Sequence, residues 1–112
     1  MKLTNKISVF VPSTTDGNKP ARLAQRREAK RVSKYLCTLY GGATATTAQG
    51  YYISPEKGLI KERQRVVYAY CTESDRERTT AGITAYVKRL CRRMRQESVT
   101  LEINGEMQFI EA

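Results

Sequence analysis

Two stretches of helical periodicity, each preceded and followed by a stretch that alternates, constrain this chain more than any other feature. Over residues 20–40 the apolar positions Ala29, Val32, Leu36 and Leu39 recur at three- and four-residue spacing, with Tyr35 and Tyr40 at the margin. Over residues 74–95 Ile83, Tyr86, Val87, Leu90, Cys91 and Met94 form a second stripe. Residues 6–11 alternate, with Ile7, Val9 and Val11 on one face and Ser8 and Phe10 on the other. Residues 43–54 and 60–72 read as two strands joined by the turn Ser54-Pro55-Glu56-Lys57-Gly58, which predicts a hairpin. Residues 99–103 alternate again. Asn104-Gly105 then tolerates the positive φ of a type I′ turn and returns residues 106–110 as a last strand. This order predicts one α+β domain over residues 1–112. It is a ferredoxin-like β-α-β-β-α-β sandwich with an added C-terminal hairpin strand and both helices on one side of the sheet.

Boundary signals agree with that reading. Pro20 suits the first turn of a helix, where its missing N–H costs nothing, and Gly41-Gly42 suits a helix end. Ser74-Asp75-Arg76-Glu77 has the form of a capping box. Gly82 inside the second helix costs up to ~1 kcal/mol relative to Ala, which suggests a close packing contact. The segment 12–18 has the composition of a loop.

No run of residues approaches the ~20 apolar positions of a transmembrane helix, and the N-terminus lacks the apolar segment of a signal peptide. The expectation is a cytoplasmic protein with no membrane insertion. Cys37, Cys71 and Cys91 have no paired spacing and there is no histidine, so no metal site is expected and the thiols read as reduced and buried. No Gly-rich phosphate loop is present, and no cofactor is expected. The absence of histidine excludes Ser-His and Cys-His nucleophile pairs.

Alternation sorts the sheet into two faces. The helix-covered face takes Ile7, Val9, Val11, Val67, Ala69, Cys71, Val99, Leu101 and Ile103. The bare face takes Phe10, Val66, Tyr68 and Tyr70. The Asn104-Gly105 turn sets Met107 opposite Glu102 and Phe109 opposite Thr100, adding both to that face. Such an apolar face predicts either self-association, as a homodimer, or a stacking platform for bases. Self-association is favoured, because apolar sheet faces more often mark protein interfaces.

The formal charge is +9. Arg22, Arg26, Arg27, Lys30, Arg31 and Lys34 crowd the first helix away from its stripe, and Lys88, Arg89, Arg92 and Arg93 crowd the second. Both helices pack on one side of the sheet, so these residues form a candidate anion-binding surface. Glu28 is the only carboxylate in the first helix and can meet Arg31 one turn on.

Two resemblances follow from these residues. Val9-Phe10-Val11 and Arg65-Val66-Val67-Tyr68-Ala69-Tyr70 resemble, in placement, the aromatic strand motifs of RNA-recognition-motif domains. Gly41-Gly42, Gly50-Tyr51, Glu62 ahead of Val66-Val67, and Gln96-Glu97-Ser98-Val99 resemble an uncharacterised family of small bacterial α+β proteins, from the first strand to Val99. The second resemblance implies the topology and no particular activity. It singles out Gly50, Tyr51, Glu62, Gln96 and Glu97 as a candidate polar cluster.

The sequence therefore favours a non-enzymatic binding module. It would self-associate through its sheet and engage an anionic partner, with nucleic acid or a nucleotide foremost. Its size suits a phage- or plasmid-borne protein acting on a host factor. The alternatives are a small enzyme using a Glu62/Glu97 carboxylate pair, since two carboxylates in one pocket can do acid–base work, or a purely protein-interaction subunit.

Overall fold

The alternating segments pair as their patterns predict. In the computed structural model, which describes residues 1–16 and 19–112, the chain runs β1 (Asn5–Val11), β2 (Thr14–Thr15), β3 (Lys19–Pro20), α1 (Arg22–Tyr40), β4 (Thr44–Ser54), β5 (Gly58–Cys71), α2 (Glu73–Arg93), β6 (Ser98–Ile103) and β7 (Glu106–Glu111). The main sheet is antiparallel, in the order β4-β5-β1-β6-β7. This is the ferredoxin-like α+β arrangement with β7 added at the edge. Among the described residues no helix is long and apolar enough to cross a membrane.

Register decides which side chains meet the helices. On the central strand Ile7 lies opposite Ala69 and Ile103, and Val9 opposite Val67 and Leu101. All of these are buried with Val32, Leu36, Ile83, Val87, Leu90 and Met94 of the helical stripes. Met107 faces Glu102 and Phe109 faces Thr100, as the turn demands. Asn104 (φ 54) and Gly105 (φ 83) both occupy the left-handed region. The Asn104 side chain also ties the turn to β1, accepting from Lys6 N at 2.8 Å and donating to Asn5 Oδ1 at 2.7 Å.

Four local details differ from the sequence reading. Pro20 pairs with Thr14 in a two-residue ladder, and α1 begins after Ala21 with no side-chain cap. Gly17 and Asn18, within the predicted loop, lie outside the described residues. The cap of α2 is Thr72 rather than Ser74: Thr72 is extended and its Oγ1 accepts from Asp75 N at 3.1 Å. The same Ser/Thr-x-x-acid spacing recurs two residues earlier, and the earlier one starts the helix. A Cβ on Gly82 would meet Tyr35 Oη at 3.6 Å, an ordinary contact, so packing does not demand glycine there. Cys71 and Cys91 are buried as expected, but Cys37 is exposed, one position beyond the stripe residue Leu36 and turned outward.

The length of β4 and β5 shapes the site. β1 pairs with β5 only over Arg65 to Cys71, whereas β4 pairs with β5 along its full length. Residues 48–64 therefore leave the body as a two-stranded arm, and the molecule measures 47 × 23 × 23 Å.

Candidate active site

Three segments converge at the root of the arm: the β1–α1 connection, the α2–β6 connection, and the inner part of β4 and β5. Side-chain amides fasten them together. Gln96 Nε2 donates to Thr14 O at 2.8 Å and to Met94 O at 3.2 Å. Arg95 takes φ 51, a left-handed conformation, and its guanidinium meets Asp16 Oδ1 at 3.0 Å. Gln25, in the first turn of α1, donates from Nε2 to Val11 O at 3.1 Å and to Arg63 O at 3.3 Å. It thereby anchors the arm to both β1 and α1.

Between these segments lies a cleft of about 910 Å³, lined by Thr14, Gln25, Tyr52, Glu62, Gln96, Glu97 and neighbours that include Arg22 and Ser98. That size is within the range of small-molecule sites, ~300–1,000 Å³. A second cavity of about 450 Å³ opens on the bare sheet face and is lined by Phe10, Gly50, Tyr51, Met107 and Phe109. Tyr52, Glu62, Gln96 and Ser98 line both. Glu62 thus stands where an aromatic cavity meets a polar cleft.

The environment of Glu62 is unusual for a strand carboxylate. Its cross-strand neighbour is Gly50, which offers no side chain to pair with it. Lys61 and Arg63, its neighbours on β5, alternate to the other face of the arm, yet both also line the cleft. Among the described residues no cation forms an ion pair with Glu62, and burial pushes its carboxyl above the usual carboxylate range. A desolvated carboxylate with no ion-pair partner among the described residues is suited to hold a cation or accept a proton. Glu97 lines the same cleft from its exposed rim.

The structure thus brings the polar cluster together. Glu62, Gln96 and Glu97 share the cleft, while Gly50 and Tyr51 join Glu62 and Gln96 in the second cavity. The Tyr51 hydroxyl donates to Gln49 Oε1 at 3.1 Å. The aromatic face divides. Phe10, Met107 and Phe109 belong to the second cavity, whereas Tyr68 and Tyr70 line a separate hollow with Tyr40 and Leu3. Lys6 Nζ lies 4.5 Å from the Tyr68 ring centre. Val66 is half-buried on the same face and lines none of these three cavities.

The basic set does not converge on the cleft. Only Arg22 reaches it; Arg26, Arg27, Lys30, Arg31, Lys34, Lys88, Arg89 and Arg92 are exposed on the helices. Arg93 is already engaged. Its Nε and Nη2 meet Glu28 Oε2 and Oε1 at 3.0 and 3.1 Å, and the Glu28 carboxylate raises the Arg93 guanidinium further above its usual range. Arg31 adds a contact to Glu28 at 3.5 Å, as its spacing predicts. Arg93 is therefore corrected from anion ligand to helix–helix strut. Gln25, Tyr52 and Ser13 also line the cleft and are not among the residues the sequence singles out. For Gln25 a signal existed: it continues the Ala29, Val32, Leu36 stripe one turn earlier, a polar residue at a core position.

No protein-family model matches this chain, and no curated protein matches it. Solved structures do. A phage SAM lyase in complex with S-methyl-5′-thioadenosine is similar over 100% of this chain and 95% of its own, with TM-score 0.68 and 21% identity. A phage SAM lyase in the apo state is similar over 100% and 94%, with TM-score 0.65 and 18% identity. The likeness extends the fold over the whole chain. It also corrects the expectation of a non-enzymatic binding module: these two proteins, which share the architecture, are enzymes. The cleft gathers carboxylates, amides, a phenol and the cations Arg22, Lys61 and Arg63, of which only Arg22 comes from the basic helix faces. Of the alternatives that the sequence left open, a small enzyme is the better supported.

Proposed function

We propose that this chain is a lyase that binds an S-adenosyl sulfonium compound in the cleft around Glu62 and releases S-methyl-5′-thioadenosine. The observation that carries this reading is Glu62 itself, half-buried, without an ion-pair partner among the described residues, and shared by an aromatic cavity and a polar cleft. The full-length likeness to phage SAM lyases supports the substrate class.

The chemistry suits such a site. S-adenosylmethionine carries its positive charge on a sulfur bonded to three carbons. Forming the thioether product breaks the bond from sulfur to the methionine chain, and both electrons pass to sulfur, whose charge is neutralised. A lyase consumes no water. The departing carbon is therefore satisfied within the same molecule, by attack of its own carboxylate or by loss of an adjacent proton to a base. In either route a desolvated carboxylate beside the cationic end holds the substrate in the reactive arrangement. Glu62 fills that role, and Glu97 at the rim adds negative charge to the same cleft. Tyr52, which lines the cleft, supplies a face for a purine.

Incubation with S-adenosylmethionine, followed by chromatography and mass spectrometry, tests the reading. The expected result is S-methyl-5′-thioadenosine in many-fold excess over protein. With ¹⁸O-labelled water as solvent, none of the label enters the initial four-carbon product. Label incorporation during the bond-breaking step would make the protein a hydrolase, and no thioether product at all would remove the proposal.

The bare sheet face supports self-association as a second property. Tyr70, Met107 and Phe109 are 47, 53 and 68% exposed, too much apolar surface on one face to leave in water. Light scattering is expected to find a dimer or larger assembly at micromolar concentration and a smaller species for Phe109→Lys. A strict monomer at every concentration contradicts it.

A further inference from the structure

Gln25 is the most confined polar side chain of the cleft, at 3% exposure. Its orientation is fixed by what it donates to. Nε2 serves two backbone carbonyls, Val11 O and Arg63 O, and turning the amide over would set its oxygen against both. Among the described residues no group donates a hydrogen bond to its Oε1. Among the same residues Ser8 Oγ is the one fully buried side-chain polar atom without a partner. The Gln25 oxygen is therefore not sealed within the protein, and the open space Gln25 borders is the cleft. A neutral acceptor held rigidly at a cleft wall is built to receive a donor.

We infer that Gln25 is a specificity-determining residue whose amide oxygen accepts a hydrogen bond from the exocyclic amine of an adenine ring bound in the cleft. This rests on the adenosyl reading above and adds to it the group that reads the base. Two donors of such a substrate compete for Gln25, the base amine and the amino-acid ammonium. The charge around Gln25 decides between them. Arg22 lies one turn before it on α1 and lines the same cleft. Its guanidinium repels an ammonium and leaves a neutral amine unaffected. The ammonium and sulfonium are drawn instead towards Glu62 and Glu97.

Titration calorimetry of the wild-type protein with S-methyl-5′-thioadenosine and with S-methyl-5′-thioinosine, which carries oxygen in place of the amine, tests the inference. Thioinosine would set acceptor against acceptor, and is expected to bind about 10- to 100-fold more weakly. In Gln25→Met that ratio falls towards one, because the variant loses affinity for thioadenosine only. Gln25→Lys keeps donors for Val11 O and Arg63 O while removing the acceptor, and is expected to reverse the preference. Circular dichroism identifies which variants are folded; should neither fold, the wild-type ratio decides. Equal wild-type affinities for the two nucleosides, or an unchanged ratio in a folded variant, overturns the inference while leaving the lyase reading intact. Wild-type protein that binds neither nucleoside overturns both.

Discussion

Glu62→Gln is expected to lower turnover of S-adenosylmethionine by about 10²–10³-fold without loss of melting temperature, the size of effect seen when one preorganised electrostatic group is removed from a site. The amide keeps the shape of the side chain and the pairing of β4 with β5, but it cannot hold a cation or take a proton. Most activity-abolishing substitutions in a core also destabilise, so this combination separates a site residue from a structural one. The sign of the stability effect follows from the environment. Burial raises the Glu62 carboxyl above its unfolded value. Between those two pKa values the folded protein holds more protons than the unfolded chain. The contribution to stability is thus fully present below the unfolded pKa and is lost as pH rises through the folded one. At neutral pH the charged Glu62 costs the fold something, and Gln removes that cost. The difference in melting temperature between Glu62→Gln and wild type should grow from about pH 4 to about pH 7, in favour of the variant. Wild-type turnover should decline on acidification as the carboxylate is protonated. A variant that keeps its activity, or loses its fold, removes Glu62 from the mechanism.

The largest stability effect is expected at Arg93. Glu28 is 2% exposed, and its carboxylate is held from two sides by the Arg93 guanidinium, with Arg31 at 3.5 Å. Arg93→Met leaves a buried carboxylate with only a long, mostly solvent-exposed partner. Breaking such a pair costs about 3 kcal/mol, at the low end of the range because Arg93 itself is partly exposed. At about 4 °C per kcal/mol for a domain of this size, the melting temperature falls by roughly 12 °C. The double variant Glu28→Leu/Arg93→Met removes both charges and should recover most of the loss, because the penalty belongs to the orphaned carboxylate rather than to missing attraction. Arg92→Met, one residue away on the exposed side, should change stability by less than about 0.5 kcal/mol. If Arg92 and Arg93 behave alike in thermal denaturation, the strut assignment is wrong.

These two residues mark where sequence reasoning succeeds and where it stops. Periodicity placed the helices, and alternation placed Ile7, Val9, Val67 and Leu101 beneath them while leaving Tyr70, Met107 and Phe109 bare. Those are properties of local geometry, and a single string carries them. The cap of α2 was misplaced by two residues because Thr72 and Ser74 offer the same chemistry, and only the end of β5 decides between them. The fate of Arg93 depends on a carboxylate 65 positions away. Its charge was visible, its partner was not. Glu28 and Gln25 are both polar at or beside the core stripe of α1, where a helix facing a sheet should be apolar. That conflict between pattern and residue type was the available sign of a buried ion pair and of a cleft wall. Gly50, Tyr51, Glu62, Gln96 and Glu97 were grouped by resemblance, and their convergence depends on the arm leaving the sheet beyond Arg65.

The placement of the site itself is open to direct measurement by amide chemical-shift mapping of the isotope-labelled protein titrated with S-methyl-5′-thioadenosine. Perturbations should cluster on Thr14, Gln25, Tyr52, Glu62 and Gln96, where the β1–α1 connection meets the root of the arm. Shifts confined to the outer faces of α1 and α2, or to Tyr68 and Tyr70, would place the ligand elsewhere and contradict an active site at Glu62.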